Sequence, residues 1–373
     1  MIYLNNATTA FPRSEVALAA FDEAARRPPA DVRNFPDEAS DIWLYRQRAA
    51  AAVGTDAAFL FFVPDATFGL NAVLRGYLRP GDTCILDNRP HNAVLRTVDA
   101  LAGVVYAIAE LHDPDERTDP NRLLRLITPR TRLVCLTHVS NVSGSVYDLG
   151  SVLVDLRRRF PDVAVLVDAA QSAGCIDLSQ AIEADFVVFP AHKHLCSVPG
   201  AAILVAKRPL RPLLTGGTGR RSRLLRDDDG SHFMEVGTPN SPAIAAMVAA
   251  LEDWAAHSAA YASAVATLQE QLWAALEGMP GLTLLGRPPG DRRTGIVAMA
   301  TQRSDPEADW VPFLRAAGII VRGGLHCSPV HHDQLGLRAG TLRLSIGRFN
   351  TSANIDDAAA AIRDFAGALT AVG

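Results

Sequence analysis

The sequence predicts an α/β fold, with a large domain built on a mainly parallel sheet and a smaller α+β domain at the C-terminal end. Helical and strand-like segments alternate through the first two-thirds of the chain, which is typical of parallel strands joined by crossover helices. The last part of the chain combines strand and helix candidates without this regular alternation. We therefore assign residues 1–255 to the large domain and residues 256–373 to the small domain, with which the N-terminal segment could also pack.

Two helices near the N-terminus have clear start and stop signals. Ser14 is a candidate N-cap for an alanine-rich helix that ends near Arg27, where two prolines follow. Asp65 is a candidate N-cap for a second helix, which ends before a Pro-Gly pair. Strands are predicted at the short apolar runs, which lie at residues 84–86, 133–136, 163–167, 186–189 and 202–205.

The chain beyond residue 206 loses the regular alternation. A basic, glycine-containing stretch at residues 207–226 is predicted to be a loop, and an alanine-rich helix is predicted at residues 242–276. Further strands are predicted at residues 295–300, 318–322 and 341–346, with helices around residues 310–317 and 355–369. This mixture predicts the small α+β domain.

The composition is that of a globular protein. The 373 residues are 49% hydrophobic and 20% charged, which excludes a disordered chain, a collagen-like chain and a small disulfide scaffold. The 36 basic and 40 acidic residues give a formal net charge of −4. This balance provides no overall attraction to nucleic acid or to an anionic membrane, so we expect neither as a partner.

The cysteine pattern and the N-terminus predict a cytoplasmic protein. The five cysteines are widely spaced, odd in number and without a C-x-x-C pair, which fits a reducing compartment better than a disulfide framework. The N-terminus lacks the basic and apolar regions of a secretory signal. Residues 254–269 carry no formal charge but are too polar to span a bilayer, so we expect no membrane segment.

Two charged residues follow strand candidates. Asp168 comes directly after the run at 163–167, and Lys193 follows the run at 186–189 by a few residues. A lysine in such a place is often a surface residue whose stem covers apolar neighbours. Ligands of open α/β sheets, however, bind beyond the carboxyl ends of the strands. A lysine for a Schiff base and a carboxylate for a pyridinium nitrogen are what pyridoxal phosphate requires there.

Two segments are candidate phosphate sites. The helix start at Asp65-Ala66-Thr67 offers free backbone N–H groups and a hydroxyl. The second candidate is Gly216-Gly217-Thr218-Gly219. Small polar residues often begin helices, so neither segment is specific by itself. The sequence contains no G-x-G-x-x-G or Walker motif that would compete for a phosphate.

An ordered series of motifs runs from about residue 2 to residue 351. Its most specific element is Asp168 together with His192-Lys193. The other motifs are Tyr3-Leu4-Asn5-Asn6-Ala7-Thr8, Ala66-Thr67, His91-Asn92, Ser140-Asn141-Val142-Ser143-Gly144, Gly216-Gly217-Thr218-Gly219, Gly237-Thr238, His326-Cys327 and residues 340–350. This series resembles the class V aminotransferase family, and the cysteine desulfurases are its most similar branch.

The resemblance implies an enzyme of fold type I that uses pyridoxal 5'-phosphate and is usually a homodimer. Lys193 would carry the cofactor as a Schiff base, and Asp168 would hold the ring nitrogen. His91 would stack on the ring and take part in catalysis. Gln171 would contact the ring oxygen, with Asn141 nearby to hold the ring or the substrate.

The resemblance also implies a phosphate site. Ala66, Thr67 and His192 would hold the phosphate, and Thr218 would reach it from the neighbouring subunit. Without the resemblance, both His91 and His192 would be read as structural histidines. The family position is what assigns them to the site.

Cys327 lies in a glycine-containing loop beside His326, a context that favours a reactive thiolate over a buried structural cysteine. The other cysteines fit a structural role. The resemblance implies that Cys327 takes sulfur from the substrate as a persulfide. His331 and His332 follow closely and could suggest a metal site with His326, but a fixed set of ligands is missing, so we expect no metal.

Arg343 matches the family arginine that holds the substrate carboxylate, a role suited to the paired donors of a guanidinium. A surface salt bridge is the alternative role for Arg343.

The implied reaction converts L-cysteine, or a close analogue, to L-alanine, and the persulfide would then pass to a sulfur-acceptor protein. Three alternatives share the cofactor but do not need Cys327: a C–S lyase, a selenocysteine lyase and a class V aminotransferase. A more remote alternative is a non-catalytic scaffold of the same fold.

The sequence departs from the family at several positions. Asn5 replaces a usual aspartate, Pro190 replaces a phosphate-binding serine or threonine, and Phe233 replaces a common arginine. Asp65 and Phe68 are also unusual beside Ala66-Thr67. Loss of one hydroxyl should weaken phosphate binding by on the order of 1 kcal/mol, so we expect cofactor binding to survive. The change at Phe233 could signal a different substrate or sulfur acceptor.

Overall fold

The computed structural model describes residues 1–28, 40–113, 115–217, 223, 234–286, 294–302 and 304–372. Within this part of the chain, the central sheet has seven strands in the order β2-β8-β7-β6-β5-β3-β4. The strands are β2 (Leu60–Val63), β3 (Thr83–Leu86), β4 (Val105–Ile108), β5 (Thr131–Thr137), β6 (Ala164–Asp168), β7 (Phe186–Pro190) and β8 (Ala202–Ala206). Strand β8 runs antiparallel to both of its neighbours, and the run from β7 to β4 is parallel. This arrangement confirms the predicted α/β class.

Helices cover both faces of the sheet. They are α1 (Glu15–Arg26), α2 (Asp41–Val53), α3 (Ala66–Tyr77), α4 (Asn92–Asp99), α5 (Pro120–Leu124), α6 (Leu149–Arg159), α7 (Ser179–Ile182) and α8 (Ser241–Leu276). Strands β5 to β8 are buried along almost their whole length, which explains why they read as continuous apolar runs in the sequence. Two core clusters lie on the two faces, one containing Val165 and Val187 and the other containing Leu166 and Val188. The alternation of these neighbours between clusters follows the two-residue period of a strand.

The C-terminal part contains a smaller antiparallel sheet. Its strands are β9 (Leu282–Leu285), β10 (Ile296–Thr301) and β12 (Leu342–Ser345), in the order β12-β10-β9. A short strand β11 (Ile319–Ile320) pairs in parallel with β1 (Ile2–Tyr3) near the N-terminus. The helices of this part are α9 (Val311–Ala316), α10 (Pro329–Gln334) and α11 (Ser352–Val372), and a π-helical turn at Pro306–Trp310 precedes α9. Leu4 packs in the same third core cluster as Leu272 and Leu344.

The predicted helix starts are largely confirmed. Asp65 caps α3, because its Oδ1 accepts the backbone N–H of Phe68 at 2.8 Å. Ser14 occupies the N-cap position of α1, but its side chain makes no capping hydrogen bond. Residues 207–217 form neither helix nor strand, as predicted, while most of the rest of that predicted loop lies outside the described residues. None of the described helices has the length and apolar character that crossing a membrane requires.

The division at residue 255 stays a prediction. That residue lies inside helix α8, which runs without interruption from Ser241 to Leu276. Leu251 belongs to the first core cluster, whereas Leu272 belongs to the third. The helix therefore contributes to both cores, and the predicted boundary falls between its two packed segments.

Candidate active site

A cavity of about 200 Å³ opens where three parallel strands end. Thr137, Asp168 and Pro190, which are the last residues of β5, β6 and β7, all line it. Parallel strands of one sheet present their carboxyl ends at the same edge, so residues far apart in sequence meet there. Nine of the predicted site residues line this cavity, namely Ala66, Thr67, His91, Asn141, Asp168, Gln171, His192, Lys193 and Arg343.

Lys193 is one of the residues that line this cavity. Burial lowers the pKa of its ammonium to about 8, and the positive charges of Arg343 and Arg322 act in the same direction. The carboxylate of Asp168 opposes this effect. Asp168 is itself positioned by a hydrogen bond in which its Oδ1 accepts the backbone N–H of Ala170 at 3.0 Å. The site thus holds a lysine whose neutral form is accessible near neutral pH, which Schiff-base chemistry requires.

His91 is fixed by its position at a helix terminus. It is the N-cap of α4, and its Nδ1 accepts the backbone N–H of Ala93 at 3.0 Å. Because Nδ1 is an acceptor, the neutral ring carries its proton on Nε2. Burial lowers the pKa of His91 to about 4, against the opposing charge of Asp168. The side chain is therefore a neutral ring at the cavity wall, as a stacking role requires.

Gln171 is oriented by two buried partners. Its Nε2 donates to the carbonyl of Ala7 at 2.9 Å, so its Oε1 is the atom that meets His194 Nε2 at 2.9 Å. Burial lowers the pKa of His194 to about 3, which keeps that ring neutral. His194 was not among the predicted site residues, although it follows Lys193 directly in the sequence. It positions Gln171, whose second amide hydrogen remains available to a ligand.

The predicted phosphate end of the cavity lies at the N-terminus of α3. Ala66 and Thr67 are its first residues, whose backbone N–H groups have no intrahelical acceptor. His192 Nδ1 lies 3.1 Å from Thr9 Oγ1, and burial lowers the pKa of its ring to about 4. Pro190 lines the cavity at the position where the family usually has a hydroxyl.

Some of the positions singled out in the sequence, including Gly219 of the second candidate phosphate segment, lie outside the described residues. Thr218, predicted to reach the phosphate, and Phe233, one of the departures from the family pattern, also lie outside them.

Cys327 lies on a sharply bent segment. His326 and Cys327 have φ values of 49° and 60°, both in the left-handed region that side chains other than glycine rarely adopt. The turn is held by a hydrogen bond from Ser328 N to the carbonyl of Leu325 at 2.9 Å. The carbonyl of Cys327 accepts the backbone N–H of Asn92 at 2.7 Å, which ties the turn to the first residue of α4. Two consecutive residues in this conformation are often found at functional sites.

Asn141 holds this turn from both sides of the cysteine. Its Nδ2 donates to the carbonyl of His326 at 2.7 Å, and its Oδ1 accepts the hydroxyl of Ser328 at 2.8 Å. The sequence predicts that Asn141 holds the ring or the substrate. In the structure most of its hydrogen-bonding capacity is used to position the residues that flank Cys327, and one amide hydrogen remains.

Two arginines converge beside Cys327. Arg343 is buried on β12, and it donates to the carbonyl of Asn141 and to Thr8 Oγ1, the latter at 3.0 Å. Arg322 donates to the same Thr8 hydroxyl at 3.4 Å and lies with Nη2 3.6 Å from the sulfur of Cys327. Burial lowers the pKa of Arg343 to about 9, with the neighbouring charge of Arg322 in support.

Arg322 and Thr8 were missed from the sequence. The available signal for Arg322 was its position as the last residue of the predicted strand 318–322, five residues before Cys327. Thr8 is the last residue of the N-terminal motif that begins at Tyr3, but the sequence predicts no role for it. Its Oγ1 donates to Asn5 Oδ1 at 2.7 Å, so Asn5 accepts as the usual aspartate would.

The residues of the cavity match the chemical groups of the predicted cofactor. They include a lysine with a lowered pKa, a carboxylate at the end of the adjacent strand and a helix N-terminus, and all three line one cavity. These are the covalent, ring-nitrogen and phosphate partners of pyridoxal phosphate, so the residues fit it. The described residues contain no cluster of potential metal ligands.

Comparisons with known proteins show which family the chain is similar to. The family model described as Aminotransferase class-V matches residues 2–357. The chain is 29% identical to a cysteine desulfurase of Haloferax volcanii over 95% of this chain and 87% of that protein. It is similar in structure to an apo cysteine desulfurase from Thermococcus onnurineus, with a TM-score of 0.86 and 21% identity over 98% and 95% of the two chains. An S-sulfonic acid form of an Escherichia coli cysteine desulfurase has a TM-score of 0.82 and 26% identity over 99% and 95%.

Proposed function

Because the chain belongs to the class V aminotransferase family, we propose that it is a pyridoxal phosphate-dependent cysteine desulfurase. It converts L-cysteine to L-alanine and retains the sulfur as a persulfide on Cys327. The observation that carries this proposal is the position of Cys327, whose sulfur lies 3.6 Å from Nη2 of Arg322. Arg322 lines the same cavity as Lys193 and Arg343, so the sulfur of Cys327 lies beside a residue of the cavity wall, although Cys327 is not itself among the lining residues.

Lys193 would hold pyridoxal phosphate until the amino group of the substrate takes its place, and the cofactor would then supply an electron sink for the substrate carbon. Asp168 would hold the ring nitrogen, and His91 would stack on the ring as a neutral imidazole. Lys193 exchanges protons with the substrate, for which its lowered pKa of about 8 is suited. Arg343 binds the substrate carboxylate through its guanidinium.

The sulfur step belongs to Cys327. Its thiolate forms a bond to the sulfur of the substrate, while the bond between that sulfur and Cβ breaks and leaves its electron pair on carbon. Protonation of the carbon completes L-alanine. The thiol and L-cysteine thus give the persulfide and L-alanine, and the step needs no external oxidant or reductant. The guanidinium of Arg322 donates toward the sulfur of Cys327 at 3.6 Å and so helps to position it for attack.

Three further points belong to this proposal. The enzyme acts as a homodimer, in which Thr218 reaches the phosphate of the neighbouring subunit. Apolar side chains before α1 and on α2 are exposed, since Phe11 is 50% and Trp43 is 43% exposed. These side chains support a surface that the second subunit covers.

The persulfide passes to a sulfur-acceptor protein, and the cysteine pattern supports a cytoplasmic location.

The test is the L-alanine released from L-cysteine by the pyridoxal phosphate-loaded enzyme in the presence of a reductant. We expect release by the unmodified enzyme and its loss in Cys327→Ala. Cys175→Ala is the matched control, because Cys175 is buried and burial raises the pKa of its thiol to about 12. That variant should retain L-alanine release.

The other outcomes distinguish the alternatives. Equal release of L-alanine by the enzyme and Cys327→Ala would contradict the persulfide on Cys327 and favour a selenocysteine lyase, which does not need that thiol. Release of pyruvate in place of L-alanine by both proteins would favour a C–S lyase. Loss of release in every protein, with amino transfer to an added keto acid, would favour an aminotransferase. Failure to bind the cofactor by a chain that still forms the dimer would favour the scaffold.

A further inference from the structure

A chain of buried polar side chains is connected to the turn that carries Cys327. It consists of Arg89, Tyr147, Glu116, His331 and Ser140, which we call the Glu116 network. The side chains of Arg89 and His331 are each 1% exposed, and that of Glu116 is 8% exposed. The reaction proposed above uses none of these side chains.

Glu116 joins the other members of the network. Its Oε1 lies 3.0 Å from Nε2 of His331, and its Oε2 accepts the hydroxyl of Tyr147 at 2.6 Å. Arg89 donates to the same Tyr147 oxygen at 3.3 Å, and its Nη2 lies 4.0 Å from Glu116 Oε1. Burial opposes ionisation of Glu116, but His331, Arg89 and Tyr147 outweigh it and lower the pKa of Glu116 to about 2. The carboxylate is therefore ionised at neutral pH.

The ionised carboxylate determines the tautomer of His331. A carboxylate only accepts hydrogen bonds, so Nε2 of His331 carries a hydrogen. Burial lowers the pKa of His331 to about 4, against the hydrogen bond to Glu116, so the ring is neutral and its Nδ1 is an acceptor. The hydroxyl of Ser140 lies 3.3 Å from this Nδ1 and is therefore its donor.

Ser140 begins the turn that contains Asn141. Its Oγ accepts the backbone N–H groups of Val142 and Ser143 at 3.2 and 3.1 Å. The backbone of Asn141 lies inside this turn, so the position of Ser140 determines where the side chain of Asn141 points.

The turn at Ser140 and the turn at Cys327 belong to one closed ring of contacts. The chain runs from Cys327 to His331 in four residues, and His331 contacts Ser140. Asn141 then contacts the two residues that flank Cys327, which closes the ring. A change in the contact between His331 and Ser140 must therefore affect the Cys327 turn from both sides.

Stability alone does not account for the Glu116 network. Removing charges from water is costly, and an apolar cluster of similar volume often stabilises a fold as well as a buried ion pair does. Glu116 also has a φ of 65°, a left-handed conformation that residues other than glycine rarely adopt. Backbone strain of this kind persists where the surrounding contacts determine it, and it is common at functional sites.

We propose that Glu116 and His331 are positioning residues for Cys327, because they hold the turn from which Asn141 orients the thiol for attack on the substrate. None of the five members of the network is among the residues that line the cavity, so they act through the residues that they hold. This inference rests on the proposed function, in which Cys327 is the nucleophile.

The test compares three variants with the unmodified, cofactor-loaded enzyme. Glu116→Ala removes the carboxylate, and Glu116→Gln keeps an oxygen that accepts from His331. Asp185→Ala is the matched control, because the side chain of Asp185 is 9% exposed and pairs with Arg157 and Arg208. Asp185 directly precedes β7, at the edge of the sheet opposite to the cavity.

Backbone hydrogen exchange at the Cys327 turn is the first measurement. The N–H groups of Ser328 and Asn92 both form hydrogen bonds to carbonyls of this turn, so their exchange reports whether it is held. We expect both to exchange about tenfold faster or more in Glu116→Ala, because the turn opens locally. Asp185→Ala should leave their exchange unchanged.

The second measurement is the kcat of L-alanine release. Glu116→Ala should lower kcat by about ten- to a hundredfold, as a small displacement of a reacting group does. Glu116→Gln should restore most of the rate, because the acceptor for His331 remains. Asp185→Ala should keep the rate, although it also loses a buried ion pair.

His331→Gln tests the other half of the network and replaces Glu116→Ala if that variant does not fold. Its amide N–H can still donate to Glu116, but the acceptor for the hydroxyl of Ser140 is lost. This variant should also slow L-alanine release and speed up exchange at the Cys327 turn.

Unchanged exchange at the Cys327 turn in both Glu116→Ala and His331→Gln overturns the inference. A loss of kcat in these variants that is no larger than in Asp185→Ala overturns it as well, and leaves the proposed function intact. Faster exchange in the two variants, without L-alanine release by any of the proteins, supports the link between the network and the turn and contradicts the desulfurase.

Discussion

Lys193 gives the site a pH dependence that its surroundings determine. Its pKa is lowered to about 8, first by burial and then by Arg343, so the reactive neutral amine is already abundant near pH 8 rather than near its usual value of about 10.4. The rate at which the apoprotein binds pyridoxal phosphate should therefore rise with pH up to about 8 and then level off.

Rapid-mixing absorbance measurements from pH 6 to about 10 check this prediction. Arg343→Met removes a charge that lowers the pKa of Lys193, so the midpoint should move to higher pH. Arg338→Met, at an exposed arginine, is the control and should leave the midpoint in place. A midpoint near pH 10 in the unmodified protein would contradict the prediction.

Ser328 is a positioning residue for the Cys327 turn. Its hydroxyl donates to Asn141 Oδ1 at 2.8 Å, and Ser328→Ala leaves that buried acceptor without its donor. We expect a loss of about 1–3 kcal/mol in the free energy of unfolding and a lower kcat for L-alanine release. Ser197→Ala is the matched control, because the hydroxyl of Ser197 is buried and has no partner among the described residues. Equal effects of the two substitutions would show that the bond to Asn141 is unimportant.

At the scale of elements, the approach of β12 to the Cys327 turn depends on a glycine. Gly340 has a φ of +89°, and a Cβ there would lie 2.2 Å from the backbone carbon of Gly324. Gly340→Ala must therefore separate the two segments as well as strain the backbone. We expect it to reduce the free energy of unfolding by more than about 3 kcal/mol and to abolish L-alanine release.

Gly336→Ala is the matched control for this prediction. Gly336 also has a positive φ, +70°, but a Cβ there meets no atom within 4 Å. Only the backbone strain applies, at about 1–2 kcal/mol. Denaturant unfolding and the L-alanine assay measure both variants. Similar losses in the two would mean that the contact with Gly324 is not what requires glycine at position 340.

At the scale of the whole molecule, buried neutral histidines predict sensitivity to acid. Burial lowers the pKa of five of them, which are His112, His194, His326, His331 and His332. The pKa falls to about 3 for His112 and His194 and to about 4 for His331. The unfolded chain binds protons at about pH 6.5, whereas the folded chain does not until the pH is lower. Stability is therefore present above pH 6.5 and is lost as the pH falls toward 4 and below.

Guanidinium unfolding at pH 7.5 and 5.5 measures this effect, which should reach on the order of 1 kcal/mol for each buried histidine. His112→Phe should reduce the difference, because it removes one such group. The ring of His112 stacks on Tyr147 at 3.6 Å, so an aromatic replacement keeps that packing. An unchanged difference between the two pH values in this variant would contradict the assignment.

Local sequence patterns were sufficient to predict the fold class and two residues of the site, Asp168 and Lys193. Continuous apolar runs marked the buried strands, and Asp168 and Lys193 could be found because ligand residues follow such strands directly. The resemblance to a family added His91, Gln171 and Cys327. These conclusions depend on short-range pattern and residue order, which a single sequence contains.

The hydrogen bonds that position the side chains of the site could not be predicted from the sequence. Asn141 contacts His326 and Ser328 across more than 180 residues of chain, and Arg322 reaches Cys327 because two consecutive left-handed residues turn the thiol toward it. The rings of His326 and His332 both contact the hydroxyl of Thr341, at 3.0 and 3.2 Å, and no local pattern encodes these hydrogen bonds. Hydrogen bonds of this kind join side chains that packing brings together, so their partners are settled by the folded chain and not by residue order.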